Sequence, residues 1–340
     1  MKTKYIIIFI IIILLIYYYK NYTYSFNYSK EHFSSQIRIH YLHTGIWGYD
    51  FNKKPNFFNY LFDSYSIPYV IVSLEQKPEV IITDTYNKGE IKKIRESSDN
   101  KINVVYFTGE NYMVKADADV NVTFRREPEH NNIRLPLWIL YGNFVNKYDY
   151  NNLDIKTKWK ETLNSKATKY DKDIQLKKSN KTKFCCFVYS NSVKFRENFC
   201  LELSKYKKVD CGGSSLNNVN GKIKDKIIFQ KDHKFCIAYE NSETPGYTTE
   251  KIMDAYRSNC IPIYRGSKTI LEDFNPETFI NSYDYETEEE LINYIKKVDN
   301  EPELYNSYLN KPVYSKEWLS RFNDPEQKYF KNICNKIFNK

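Results

Sequence analysis

Residues 235–267 read FCIAYENSETPGYTTEKIMDAYRSNCIPIYRGS, and their alternation decides the fold class. Residues 235–239 form a short apolar run rich in strand-forming residues, as a buried strand requires. Residues 240–246 are polar and contain Pro245 and Gly246, the composition of a turn. A helix is expected to begin at Thr248 or Thr249, where a threonine hydroxyl can cap free amides. Glu250 and Lys251 fall in its first turn. Glutamate suits the positive end of a helix dipole and lysine opposes it. A lysine beside free N–H groups attracts an anion, above all a phosphate. An ordinary strand–turn–helix with a surface lysine has the same pattern. Residues 261–264 supply the next strand, so strand, helix and strand follow in a row, the unit of a parallel sheet.

The pattern continues on both sides. Upstream lie an expected strand at 184–189, a helix at 193–206 and a strand at 209–211 that ends at Gly212-Gly213. Downstream lie a strand at 279–282, an acidic-capped helix at 286–298 and helical segments at 302–311 and 315–338. A polar, lysine-rich linker at 151–183 separates this half from an earlier one. There, strands are expected at 37–42, 69–74, 80–83 and 102–107, with helices at 55–66 and 87–98. The expected organisation is two Rossmann-like α/β domains, 36–150 and 184–340, facing across a cleft. Ligands of such sheets sit beyond the carboxyl ends of the strands. Neither G-x-G-x-x-G nor a Walker loop is present, so a dinucleotide or P-loop reading has no direct support.

Residues 5–19 are continuously apolar or aromatic. A helix of that length spans roughly 22 Å, short of the ~30 Å hydrocarbon core, and flanking Tyr17–Tyr19, Lys4 and Lys20 can reach the interfaces. No small-x-small cleavage site follows, which favours an uncleaved signal-anchor at 1–20 over a signal peptide. A stem at 21–35 comes next. Lys2 and Lys4 place the N-terminus on the cytoplasmic side, so the expectation is a single-pass type II protein with its catalytic part lumenal. Sequons at Asn21, Asn27, Asn121 and Asn180 agree with that side.

The chain carries a net charge of +9, with 27% charged residues of both signs interspersed. That is a solvated surface with room for a local phosphate site, and no nucleic-acid partner is expected. Seven cysteines and five histidines make no zinc-ligand spacing. Cys185, Cys186, Cys200 and Cys211 could pair in an oxidising compartment. Asp117-Ala-Asp119 has D-x-D spacing and reads as a loop. No metal site is expected.

The 235–267 stretch resembles the signature of the α1,3-fucosyltransferases, glycosyltransferase family 10: a strand into F-E-N-S, then Y-x-T-E-K opening a helix, then A…P-I/V…G. The matching residues are Tyr239-Glu240-Asn241-Ser242, then Tyr247-Thr248-Thr249-Glu250-Lys251, then Ala255, Ile261-Pro262-Ile263 and Gly266. Residues 187–191, Arg196 and Val209-Asp210-Cys211-Gly212 resemble a second block. Gly109-Glu110-Asn111 resembles the G-E-N element of bacterial-type members. Asn121–Arg126 and Leu135-Pro136-Leu137-Trp138 resemble the block that closes the first domain. Tyr239 stands where phenylalanine is frequent, and Arg265 where many relatives have an aromatic or apolar residue.

The resemblance implies a GT-B fold, with an acceptor-binding first domain and a GDP-fucose-binding second one. It implies an inverting transfer of fucose from GDP-fucose to a hydroxyl of a glycan acceptor, such as O3 of N-acetylglucosamine. Glu110 matches the general base. Arg196 and Lys251 match the pyrophosphate contacts. Ser190, Asn191, Asn241, Tyr247 and Glu250 are the further nucleotide-sugar candidates. No cofactor is obligatory, and a divalent metal would at most stimulate. A transferase using another nucleotide sugar, or an inactive glycan-binding membrane protein, would share part of this pattern.

Overall fold

The computed structural model describes residues 36–43, 51–52, 56–99, 101–126, 129–141, 176, 180–221, 223–322 and 328–338. The expected anchor, stem and most of the linker lie outside these residues, as do Asn21 and Asn27. Among the described residues no helix is long and apolar enough to cross a membrane.

The first half builds a six-stranded sheet from β1 (Ile37–Leu42), β2 (Tyr69–Ile71), β3 (Val80–Thr83), β4 (Asn103–Thr108), β5 (Val120–Thr123) and β6 (Asn132–Arg134). Its order is β2-β1-β3-β4-β5-β6 and every pairing is parallel. β4 is buried along its whole length, as a strand covered on both faces should be. Two helices cross between strands, α1 (Phe57–Ser64) and α2 (Lys88–Glu96), and both are capped by an asparagine. The Asn56 side-chain Oδ1 accepts from Phe58 N and Asn59 N at 2.9 and 3.2 Å, satisfying amides that the helix itself leaves free.

β5 and β6 lie in the closing block, where no strand is expected from the sequence. They hide in polar sequence because their asparagines are inside. Asn121 is fully buried. Its side chain accepts from Lys115 N and donates to the carbonyls of Lys115 and His130. The sequon expected there is therefore inaccessible, whereas Asn180 is exposed.

The second sheet runs β11-β10-β9-β7-β8, again all parallel. Its strands are β7 (Lys183–Phe187), β8 (Val209–Cys211), β9 (His233–Tyr239), β10 (Ile261–Arg265) and β11 (Ile280–Asn281). The helices are α3 (Lys194–Ser204), α4 (Lys226–Gln230), α5 (Glu250–Arg257), α6 (Glu288–Asn300), α7 (Pro302–Ser307), α8 (Lys316–Phe322) and α9 (Lys328–Ile337). Within the segment expected as helical over 315–338, the described residues form α8 and α9. The seven cysteines are buried free thiols. The Cys200 and Cys211 sulfurs lie 3.3 Å apart.

The halves interlock through named contacts. Trp138 packs on Phe274 and Trp318, each at 4.8 Å between ring centroids. Its indole N–H donates to the Asp273 carboxylate at 3.2 Å, and Arg134 pairs with the same carboxylate. Although sequence order places α9 in the second half, it packs on the first. Phe338, just past its end, meets Phe62 of α1 at 4.8 Å, and Asn103 of β4 donates to the Ile337 carbonyl.

Candidate active site

The carboxyl ends of β4, β7 and β9 converge on one cavity of about 410 Å³. β4 delivers Glu110, β7 delivers Ser190 and Asn191, and β9 runs into Glu240 and Asn241. Arg196 comes from α3, Tyr247 from the turn before α5, and Glu250 and Lys251 from its first turn. Except for Glu240, which lies behind the wall, all of these line the cavity, so the structure brings every site residue expected from sequence to one place. The Asp117 and Asp119 carboxylates are elsewhere, paired with Lys88 and Arg95. Among the described residues no group of His, Cys, Asp or Glu is arranged to hold a metal ion.

Glu240 organises the second-half wall. It is completely buried, and its carboxylate accepts from Thr249 N and Thr249 Oγ1, both at 2.7 Å. The expected cap on α5 is therefore inverted. Thr249 makes no side-chain cap. Its hydroxyl donates to Glu240 while accepting from Lys251 Nζ at 2.7 Å. The Lys251 ammonium also donates to Glu240 at 3.0 Å and stands 3.6 Å from Glu250. Gly266 makes room for this: a Cβ there would sit 2.5 Å from Glu240 Cγ. Gly246 takes φ +81°, and a Cβ there would meet the Phe124 carbonyl at 2.7 Å, so the turn needs glycine twice over.

Charge is distributed unevenly among these groups. Burial pushes the Glu240 carboxyl up, against the pull of Lys251. Burial also disfavours ionised Glu250, but the Lys251 and Lys226 ammoniums outweigh it and bring that carboxyl down to about 2. Lys251 loses by burial and gains more from Glu240 and Glu250, ending above the usual lysine range. At neutral pH, Glu250 is a fixed acceptor and Lys251 a fixed cation.

Arg196 is fully buried rather than an exposed helix residue. Its Nη1 donates to the Tyr239 carbonyl at 3.1 Å and Nη2 to the Asn191 carbonyl. The guanidinium lies 5.0 Å from the Tyr189 ring centroid. Nε has no hydrogen-bond partner among the described residues. Burial lowers its pKa, opposed by Glu240, and an arginine stays charged regardless.

Glu110 reaches the cavity from the other half, two residues beyond β4, with its amide donating to Thr108 Oγ1 at 3.1 Å. The Tyr247 hydroxyl donates to Glu110 Oε2 at 3.1 Å, spanning the two halves. Asn111 donates to Ser242 Oγ at 2.9 Å alongside. Tyr247 is itself buried, packed at 5.1 Å against Phe124. The Arg265 side chain, noted as a departure at the rim, pairs with Glu243 and lies 5.4 Å from the Phe195 ring centroid.

Three participants were not singled out from sequence: Glu240, Thr249 and Lys226. The first two stand inside the quoted motif, where their burial is invisible. Lys226 sits in a run of lysines, and only Asp225, which caps α4 by accepting from Ile228 N at 2.9 Å, hints at a helix start. In chemical terms the cavity offers three cations on one wall and a carboxylate with an open side on the other. That arrangement suits an anionic diphosphate leaving group and a hydroxyl nucleophile.

Comparison with known proteins matches residues 178–339 to the family model described as glycosyltransferase family 10 (fucosyltransferase) C-term. An alpha-(1,3)-fucosyltransferase FucT of Helicobacter pylori is 40% identical over 123 residues, covering 36% of this chain and 26% of that protein. A 4-galactosyl-N-acetylglucosaminide 3-alpha-L-fucosyltransferase 9 of Bos taurus is 33% identical over 137 residues, covering 38% and 37%. The aligned stretches span between 24% and 37% of the length of the curated relatives. A crystal structure of an alpha1,3-fucosyltransferase with GDP-fucose is 25% identical with a TM-score of 0.59, covering 87% of this chain and 91% of that one.

Proposed function

We propose, from the premise that residues 178–339 are a glycosyltransferase family 10 domain, that the chain transfers L-fucose from GDP-fucose to a sugar hydroxyl with inversion. The observation that carries this reading is the hydrogen bond of Tyr247 to Glu110. It sets a carboxylate of the first half against Arg196 and Lys251 of the second across a single cavity.

In this reading Glu110 takes the proton of the acceptor hydroxyl as that oxygen bonds to the anomeric carbon. The bond from that carbon to the β-phosphate oxygen breaks, and GDP leaves. Tyr247 holds Glu110 Oε2, leaving Oε1 for the acceptor. Arg196, whose Nε–H is unpaired among the described residues, and Lys251, a point charge, meet the charge that grows on the leaving phosphate. Ionised Glu250 accepts hydroxyls of the donor. Asn241, Ser190 and Asn191 line the same cavity and are assigned to the nucleotide.

The solved relative with GDP-fucose supports the donor, and the bovine relative's name supports N-acetylglucosaminide O3 as acceptor. The division into an acceptor domain at 36–150 and a donor domain at 184–340 belongs to the same proposal. So does a type II anchor at 1–20, for which the apolar run at 5–19 is the support.

The test is thermal shift with GDP and UDP, then an acceptor array with GDP-fucose and linkage analysis. Stabilisation by GDP and an α1,3-fucosylated product are expected. Stabilisation by UDP alone would give the site to another nucleotide sugar. Binding of GDP-fucose without consumption on any acceptor would favour an inactive glycan-binding protein.

A further inference from the structure

Lys226 is the cavity's third cation. It is delivered by α4, a helix fastened to α5 at both ends. At one end Lys226 Nζ stands 2.9 Å from Asp254; at the other, Ser258 Oγ donates to Gln230 Oε1 at 2.8 Å. Asp254 and Glu250 lie four residues apart on α5 and so share one helix face. Lys226 therefore sits against an acidic strip of α5, with Asp254 behind it and Glu250 at the cavity. Its side chain keeps 27% of its surface exposed while Asp254 keeps 10%.

We infer that Lys226 is a positioning residue for the donor substrate: anchored by Asp254 on the wall that also carries Glu250 and Lys251, its ammonium offsets the acidic face of α5 where the nucleotide sugar docks. The inference rests on the reading of this cavity as the GDP-fucose site.

The charges explain why a third cation is placed here. Lys251 already serves Glu240 and Glu250. With Lys226 absent, one ammonium would face both carboxylates and an incoming diphosphate as well. Lys226 offsets part of the Glu250 charge, which leaves more of the Lys251 charge for phosphate. Asp254 completes the chain, since it keeps Lys226 ionised against burial. A bare surface lysine would need neither the buried counter-ion nor the fastened helix.

The experiment compares K226M, K226R, D254N and K226M/D254N with the full wild-type chain. It measures the dissociation constant of GDP by calorimetry, KM for GDP-fucose and for the acceptor separately, and the melting temperature. K226M is expected to raise the donor KM about tenfold, while the acceptor KM stays unchanged. K226R should restore the donor KM to near the wild-type value. K226M/D254N should regain the melting temperature that K226M loses by stranding Asp254, yet keep the raised donor KM.

A double variant with normal donor KM would make Lys226 merely the partner of Asp254 and overturn the inference. So would a stably folded K226M whose donor KM and GDP affinity match the wild type. Those outcomes leave the fucosyl reading intact, because the wild type still binds GDP. A wild-type chain that binds no GDP overturns both.

Discussion

The two walls of the cavity are built differently. The second-half wall is a closed lattice in which Glu240, Thr249 and Arg196 are each at most 1% exposed and each bonds to the next element. The first-half wall is open. Glu110 is exposed, and Tyr112 and Met113 beside it are 60% and 63% exposed. A group that must meet a developing phosphate charge gains from being fixed before the reaction, because low-dielectric surroundings strengthen it and no reorganisation is needed. A group that must admit a sugar of variable shape gains from leaving space beside it. Donor recognition is thus written into buried pairs, and acceptor recognition into an exposed loop.

Removing a lattice member should therefore cost more than removing a loop member. Lys251→Ala should have the largest effect, lowering turnover by about 10³-fold. It removes the leaving-group cation and also strands buried Glu240, which has no other cation within ion-pairing distance among the described residues. Steady-state transfer from GDP-fucose checks this, together with a melting curve that should also fall. Near-normal turnover in this variant would show that the phosphate sits elsewhere.

Glu110→Gln tests the open wall. Turnover should fall by about 10²-fold, the lower range for loss of a general base, while calorimetric GDP affinity and the melting temperature hold. Equal loss of GDP binding would show that the two walls are not separable and would move Glu110 into the donor lattice.

The same contrast explains what could be read from sequence. Close packing fixes residue types at fixed spacing, so the lattice reads as a motif. Tyr247 to Lys251 can be placed on a turn and helix start from letters alone. The strands around it fall where apolar runs place them, as in β3 and β8. What stays hidden depends on contacts between distant segments. The Thr249 hydroxyl looks like a cap because nothing local shows that Glu240 is folded back beneath it. Lys226 is one lysine among many until α4 lies on α5. β5 and β6 escape because buried Asn121 and Asn132 make their segments look like loops. The packing of α9 on the first sheet has no local signal at all, since a helix pattern says which face is apolar and not which partner it meets.

Tyr247→Phe probes the bond that ties the base to the donor wall. Loss of its hydrogen bond to Glu110 should lower turnover by about tenfold, since bonds to charged groups contribute roughly 1.5–3 kcal/mol. The melting temperature should change little, because the ring keeps its packing on Phe124. A stability loss with unchanged turnover would mean that the bond closes the cleft without orienting the base.

The smallest effect is expected from pH, and its sign follows from Glu250. Its folded carboxyl titrates at about 2, below the usual glutamate value of 4.5, because Lys251 and Lys226 outweigh the burial that opposes its charge. A depressed carboxylate stabilises the fold above its unfolded pKa, and that contribution drains away as pH falls through the folded value. Between pH 7 and 5 the Glu250→Gln variant should therefore differ from wild type by a constant offset in melting temperature. As the pH falls from about 4.5 toward 2, the offset should shrink, because protonated Glu250 becomes a neutral side chain like the glutamine. Glu240, which burial pushes the other way, is present in both proteins. An offset that stays constant to pH 2 would mean that Glu250 is not held between the two ammoniums, and the donor wall would then be less of a lattice than its distances show.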